Sequence, residues 1–290
     1  MVMDLSGKSV IVTGGNVGIG RPTALELARL GANVTIIGRN EATCSEAVNE
    51  IIESTGNQKV DFKIVDLASF SGIQKFADEY KATHTELDIL VNNAGVVTPP
   101  FNETEQGIEA TTGINYLGHF FLTHLLKDLL ISVKGRVVVV ASDAYASGRI
   151  TLDMMEGENP AIFKPVAKSG LLQYGLSNTC RVLFAKELIE QYPDLTCVSL
   201  HPGVVKTNLA RSMGSCFQCI IGKCFAPCLK SPDEGAVTTL HCATTDVSAG
   251  NGMYYKDSKI QPVKDGFVSK ELQKKLWEVS MVVVEKFMSK

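Results

Sequence analysis

What this chain of 290 residues lacks narrows its class before any motif is read. No apolar run reaches the roughly 18 residues that a membrane-spanning helix needs. No block of lysine and arginine interrupts it, and the net charge is −3, which argues against nucleic acid as a partner. The eight cysteines follow no secreted-scaffold spacing, so a reducing cytoplasm is the expected compartment. The chain opens Met1-Val2-Met3-Asp4-Leu5 and turns strand-like at once, so neither a signal peptide nor a transmembrane anchor is expected. Internal repeats, low-complexity stretches and composition breaks are also missing. Residues 1–290 therefore read as one domain, and 45% apolar residues suffice for a sizeable core.

What is present is a regular alternation. Short β-branched runs at 9–12, 33–37, 60–65, 88–91, 136–141 and 196–200 read as buried strands, and a last strand falls near Met253-Tyr254. Helical patterns fall between them, at 23–30, 41–54, 70–81, 108–130 and 169–191. Strand–helix alternation of this kind predicts an α/β fold: a single doubly wound Rossmann domain with a mainly parallel sheet and helices on both faces. The turn between the first strand and first helix is Thr13-Gly14-Gly15-Asn16-Val17-Gly18-Ile19-Gly20. Glycines there let the backbone approach a pyrophosphate, and the free N–H groups of the helix start face the anion. Taken alone, the same turn is also compatible with an ordinary strand-to-helix connection.

With five further pieces in order, the chain resembles the short-chain dehydrogenase/reductase family from about residue 7 to residue 255. Thr13 to Gly20 matches the cofactor loop, Asp66-Leu67 the adenine-holding pair, and Asn92-Asn93-Ala94-Gly95 the motif after the fourth strand. Asn115 matches a catalytic asparagine, Ser142 a catalytic serine at the end of the fifth strand, and Pro202 to Thr207 a nicotinamide-contacting segment. The strings 115–123 and 182–188, and the long spacer between Ser142 and Tyr174, are most similar to the retinol dehydrogenase-type branch. The resemblance implies hydride transfer between a nicotinamide and a carbonyl or alcohol carbon, and a homodimer. It assigns cofactor contacts to Gly14, Asn16, Gly18, Ile19, Gly20, Asp66, Leu67, Asn93, Ala94, Gly95, Tyr174, Asn178, Pro202, Gly203, Val205 and Thr207. Tyr174 would exchange a proton with the substrate oxygen, Ser142 would hydrogen-bond that oxygen, and Asn115 would position a relay water.

Two further absences sharpen this reading. NAD-selective relatives carry an acid at the end of the second strand; here stand Gly38-Arg39-Asn40. Arg39 suits a 2′-phosphate, so NADP(H) is expected ahead of NAD(H). Val17 occupies a position where some NADP-preferring relatives carry a second basic residue. The second absence is in the catalytic helix. The family pairs tyrosine with a lysine four residues on, and this chain reads Tyr174-Gly175-Leu176-Ser177-Asn178. A nearby ammonium favours a phenolate, and Asn178 cannot supply that charge. Arg181 lies one turn further on the same side, where close relatives often carry asparagine. Two functions therefore remain open: an oxidoreductase acting on an apolar small molecule, or a catalytically impaired nucleotide-binding sensor or scaffold. Tyr255 and Lys259 share the four-residue spacing, but they follow the last strand and read as coincidence.

The least regular part is a substrate-loop region at about 208–230. It holds Cys216, Cys219, Cys224 and Cys228 among apolar residues. Their spacing matches no common zinc or iron–sulfur pattern, so an apolar lid is expected there and a metal site is not. Lipidation of one of these thiols would also suit the apolar context.

Overall fold

Most of the β-branched runs become strands of one sheet because they are apolar on both faces and both faces are covered; the run at 60–65 is the exception, with Asp61, Lys63 and Ile64 exposed. The computed structural model describes residues 3–98, 102–165, 170–206, 209 and 229–288. Strands β1 (Ser9–Thr13), β2 (Asn33–Gly38), β3 (Val60–Ile64), β4 (Ile89–Asn92), β5 (Arg136–Val140), β6 (Thr196–His201), β7 (Tyr254–Lys256) and β8 (Lys259–Gln261) form a sheet of order β3-β2-β1-β4-β5-β6-β7-β8. All pairs are parallel except β7 with β8. The order reverses direction between β1 and β4, which opens a crevice at the carboxyl ends of the strands. Residues on one strand alternate between two cores: Val138 and Val140 face one, Val137 and Val139 the other.

Helices α1 (Gly20–Arg29), α2 (Glu41–Thr55) and α6 (Pro232–Thr244) cover the first face. Local chemistry sets their ends. Asn40 caps α2 by accepting from the Thr43 amide at 3.0 Å, and Gly56 closes it in the left-handed region at φ 72°. Ser231 and Glu234 form a reciprocal capping box on α6, with Pro232 opening the helix. The second face carries α3 (Phe70–Thr83), α4, α5 (Gly170–Gln191) and α7 (Lys270–Met288). Helix α4 starts at Ala110–Thr112, widens into a π turn at Gly113–Leu117, and continues as Gly118–Ser132. Helix α7 lies across α4 and α5. Trp277 packs on Phe120 and Phe184, and Phe287 on Phe70 and Phe121. The buried Tyr116 hydroxyl meets Ser280 Oγ at 2.7 Å.

The differences from the sequence reading are local. The fifth strand ends at Val140, so Ser142 stands two residues beyond it and caps a 3-10 turn at Asp143–Ser147. The π turn, helices α6 and α7, and the short antiparallel β8 were not anticipated. Tyr255 and Lys259 sit on β7 and β8, in an edge hairpin rather than on a helix, in keeping with coincidence.

Candidate active site

The glycine turn closes by steric necessity. Gly14 and Gly18 adopt φ of 64° and 55°, in the region that favours glycine. A Cβ on Gly20 would lie 2.2 Å from the Gly14 carbonyl oxygen. No acid occupies the first turn of α1, so its N-terminal dipole is not already answered by a carboxylate. Asn16 ties the turn to α2, with Nδ2 donating to Thr43 Oγ1 at 2.7 Å. Asn93 braces it from the other side, Nδ2 donating to the Thr13 carbonyl at 2.7 Å. The Thr13 hydroxyl accepts from the amides of Asn93 at 2.8 Å and Ala94 at 2.9 Å. A Cβ on Gly14 would come within 3.1 Å of Ala94 Cα, so the loops 13–20 and 92–95 press on one another.

Arg39 is exposed at the carboxyl end of β2, just past Gly38. Exposed Asp66 turns its Oδ1 to the Ala68 amide at 2.9 Å, two residues past β3. Leu67 is buried, and a Cβ on Gly118 would lie 2.4 Å from its carbonyl oxygen. Ile19 and Val205 converge on the start of α6, where a Cβ on Gly235 would meet Val205 at 2.6 Å and Ile19 at 3.2 Å. Gly203, at φ 96°, follows Pro202. The segment is then clipped to Lys230, whose amide donates to Val204 O at 2.8 Å. Thr207 and Cys216, Cys219, Cys224 and Cys228 lie outside the described residues, as does most of the substrate-loop region. Among the described residues no cluster of histidine, cysteine, aspartate or glutamate has the grouping to hold a metal ion.

The catalytic side is assembled around the π turn of α4. Asn115 is fully buried there. Its Oδ1 accepts from the Val96 amide at 2.8 Å; its Nδ2 donates to Val96 O at 2.9 Å and to Ser177 Oγ at 3.1 Å. The side chain thus holds the loop after β4 against α5. Its backbone carbonyl is taken as well, by Arg181 Nε at 2.6 Å and His119 Nδ1 at 2.9 Å. Because a carbonyl accepts, His119 Nδ1 carries the proton, and Nε2 accepts from the Thr13 hydroxyl at 2.8 Å. Burial keeps that imidazole neutral, lowering its pKa to about 3, with the Arg181 charge acting the same way. The resemblance implies a relay water positioned by Asn115; on its carbonyl such a water would compete with two bound donors.

Tyr174 is half-buried near the start of α5. The segment after Ser142 packs tightly on this part of the helix. A Cβ on Gly175 would lie 2.4 Å from Ser147 Oγ, and one on Gly148 would lie 2.0 Å from the Leu176 amide. Ser142 Oγ accepts from the Ala144 amide at 3.2 Å. Asn178, where the resemblance implies a lysine, is fully buried and turns back on its own helix, Nδ2 donating to the Tyr174 carbonyl at 2.8 Å. Its Oδ1 has no hydrogen-bond partner. An unpartnered acceptor below the crevice suits a ribose hydroxyl, and the glycine turn suits a pyrophosphate, so the residues present fit a nicotinamide dinucleotide.

Sequence reasoning missed the group that fixes Ser142. Asp143 receives Tyr254 OH at 2.9 Å and Lys256 Nζ at 2.7 Å, and its amide donates to His201 Nδ1 at 3.3 Å. Burial raises the Asp143 carboxyl, but Lys256, His201 and Tyr254 outweigh it and hold it below the usual range. His201, at the end of β6, thereby holds this turn. The missed residues come from three strand ends, and only the Asp143 position beside Ser142 hinted at them.

A family model for short chain dehydrogenases matches residues 8–153. Retinol dehydrogenase 12 of Mus musculus is 36% identical over 282 residues, covering 96% of this chain and 86% of that protein. Retinol dehydrogenase 11 of Homo sapiens is likewise 36% identical, with the same shares covered. An uncharacterized protein from Mycobacterium paratuberculosis has a similar structure, with TM-score 0.74 at 29% identity, covering 98% of this chain and 96% of that one. A short chain dehydrogenase from Shigella flexneri, solved with NADP, gives TM-score 0.66 at 25% identity, covering 87% of this chain and 97% of that one. Among the described residues no helix is long and apolar enough to cross a membrane.

Proposed function

The chain belongs to the short chain dehydrogenase family, and from that premise we propose that it transfers hydride between NADP(H) and the carbonyl or alcohol carbon of an apolar small molecule. The observation that carries this reading is the joint placement of Tyr174, the turn after Ser142 and the Asn115 tether beside the glycine edge. Bound along that edge, a nicotinamide would supply the hydride for reduction or accept it in oxidation. Gly14, Asn16, Gly18, Ile19 and Gly20 would shape the pyrophosphate turn, and Asp66 and Leu67 the adenine end. Asn93, Ala94, Gly95, Asn178, Pro202, Gly203, Val205 and Thr207 would bound the nicotinamide end. Arg39 would pair with the 2′-phosphate as a planar, permanently charged fork.

Tyr174 gives its phenolic proton to the substrate oxygen in reduction and takes one back in oxidation. Ser142 donates a hydrogen bond to that oxygen and stabilises the charge that develops on it. With the Asn115 carbonyl filled, Tyr174 exchanges its proton with solvent rather than through a lysine-linked relay. Exposed Leu171 and Leu172, in the turn before Tyr174, and exposed Val204 beside Gly203 support an apolar substrate. So do the names of the relatives, retinol dehydrogenases. The buried cysteines among the described residues, Cys44, Cys180, Cys197 and Cys242, are free thiols, which supports a cytoplasmic setting. For the homodimer that the resemblance implies, the faces of α4 and α5 under α7 are already taken.

The second reading, a nucleotide-binding sensor, draws on Asn178, whose neutral amide is turned to the Tyr174 carbonyl. NADPH oxidation with retinaldehyde and with decanal, in the parent and in Tyr174→Phe, separates the two. The oxidoreductase reading requires turnover that falls by about 10²-fold or more in Tyr174→Phe. NADPH binding without turnover of either aldehyde would favour the sensor.

A further inference from the structure

Arg181 is buried, with 3% of its surface exposed. Its Nε donates to the Asn115 carbonyl at 2.6 Å, one terminal nitrogen to Val140 O at 2.9 Å, and the other to Ala94 O. All three partners are backbone carbonyls, and Arg181 forms no ion pair among the described residues. A buried cation without a counter-ion costs more than such bonds alone offset. A neutral amide could have held two of these carbonyls without that cost. What the position keeps is the charge.

The place of that charge is informative. Seven residues separate Tyr174 from Arg181, and seven steps of a helix return to within about 20° of the same face. Helical side chains lean toward the N-terminus, so the Arg181 head reaches back toward Tyr174. A Cβ on Gly95 would lie 3.5 Å from both terminal nitrogens of Arg181. Val140, which accepts one of them, stands two residues before Ser142. The guanidinium is therefore enclosed by the loop that carries Gly95, the π turn that carries Asn115, and the end of β5 before Ser142. Burial pulls its pKa down to about 10, and the influence acting the other way is the Tyr174 phenolate.

Other charged groups on the elements around this end of α5 are answered among the described residues. Asp143 is paired with Lys256 at 2.7 Å, and Lys230 with Asp257 at 2.7 Å. Glu109, at the start of α4, accepts from the amides of Thr111 at 2.9 Å and Thr112 at 2.7 Å. Burial keeps His119 and His201 toward their neutral forms, and keeps Tyr254 and the Cys180 thiol protonated. The Tyr145 hydroxyl accepts from the Lys264 amide at 3.0 Å.

We propose that Arg181 is a positioning residue that supplies, from beneath the site, the positive charge missing at Asn178, and so favours the phenolate of Tyr174. The charge has moved one turn along α5 while staying on the same face. This rests on the proposed role of Tyr174, and its test does not depend on turnover. The readout is the Tyr174 step in tyrosinate absorbance against pH, taken as each protein minus its Tyr174→Phe counterpart, with and without NADP.

In Arg181→Gln, which keeps amide donors and loses the charge, the step should move up by about one pH unit or more. In Arg181→Lys it should stay near the parent position. Retinol oxidation with NADP, which needs Tyr174 as a base, should rise with pH, and that rise should move with the step. If Arg181→Gln does not fold, Arg181→Asn combined with Asn178→Lys carries the test. There the step should remain within about half a pH unit of the parent, because one charge has replaced another. An unmoved step in Arg181→Gln would overturn the proposal, as would a fall of about a unit or more in the double variant. A step that moves in a protein that turns over no aldehyde would sink the enzyme reading and leave this one standing. Tyr174-dependent turnover with an unmoved step would do the reverse.

Discussion

At the glycine edge a Cβ on Gly20 would lie 2.2 Å from Gly14 O, and one on Gly38 2.4 Å from Cys44 Sγ, so any larger residue requires a neighbour to shift. On α5, by contrast, asparagine and arginine stand at positions 178 and 181, where the resemblance implies lysine and asparagine, and the helix runs unbroken from Gly170 to Gln191. The first region is specified by where atoms cannot be. The second is specified by where charge is. A substitution in the first should break binding; one in the second should retune chemistry in an intact fold. The two regions are joined by a buried polar chain. Thr13 bonds His119 at 2.8 Å, His119 bonds the Asn115 carbonyl at 2.9 Å, and Arg181 bonds the same carbonyl at 2.6 Å.

That chain gives the largest expected effect. The folded state depresses the pKa of His119 from 6.5 to about 3, so below 6.5 the unfolded state binds the extra proton. The contribution is fully present above about pH 6.5 and is lost as pH falls toward 3, at about 1.4 kcal/mol per unit. Urea titrations at pH 7, 5 and 4 should show a decline that His119→Gln flattens. Parallel declines in the two proteins would mean the junction is not held by a neutral imidazole.

Gly20→Ala tests the glycine edge directly. Its Cβ must displace backbone rather than a flexible side chain, a cost of about 1–3 kcal/mol or more. NADPH affinity, read by fluorescence titration, should fall by about 10²-fold or more. Near-parental affinity would remove the contrast between the two regions.

Arg39→Asp should be milder, because it touches one contact rather than the loop. A bidentate arginine–phosphate pair contributes about 1.5–3 kcal/mol, so the NADPH-over-NADH preference should shrink by about 10- to 10²-fold. Equal binding of the two cofactors by the parent would contradict the assignment. The smallest effect belongs to Val17→Lys, at an exposed site where a new charge contributes about 0–1 kcal/mol. NADPH affinity should rise at most a few-fold and lose that gain in high salt.

The sequence made the first region legible because its signals are local. Glycines at fixed offsets between a β-branched run and a leucine-rich helix imply the turn, and Asn93 and Ala94 bond to Thr13 at its start. The parallel strands were readable from their double-sided apolar character. The second region was legible only as a set of positions. Asn115, Ser142 and Tyr174 could be named, but nothing local foretells a π turn, since one extra residue in a buried helix leaves the apolar pattern nearly unchanged. Asp143, His201, Tyr254 and Lys256 meet only because β5, β6 and β7 end side by side. Arg181 could be placed on the face of Tyr174; its three carbonyl partners come from the loop after β4, from α4 and from β5, and are a tertiary fact. β8 is three exposed residues with no alternation to read.

The central claim is hydride transfer at this site, and isotope tracing tests it most directly. NADPH carrying deuterium at both C4 positions is mixed with retinaldehyde and the parent protein at neutral pH, and the alcohol is analysed by mass spectrometry. The account predicts one deuterium at the carbinol carbon, with product formation depressed by about 10²-fold or more in Tyr174→Phe. Alcohol without deuterium, or equal yields from the two proteins, would contradict it.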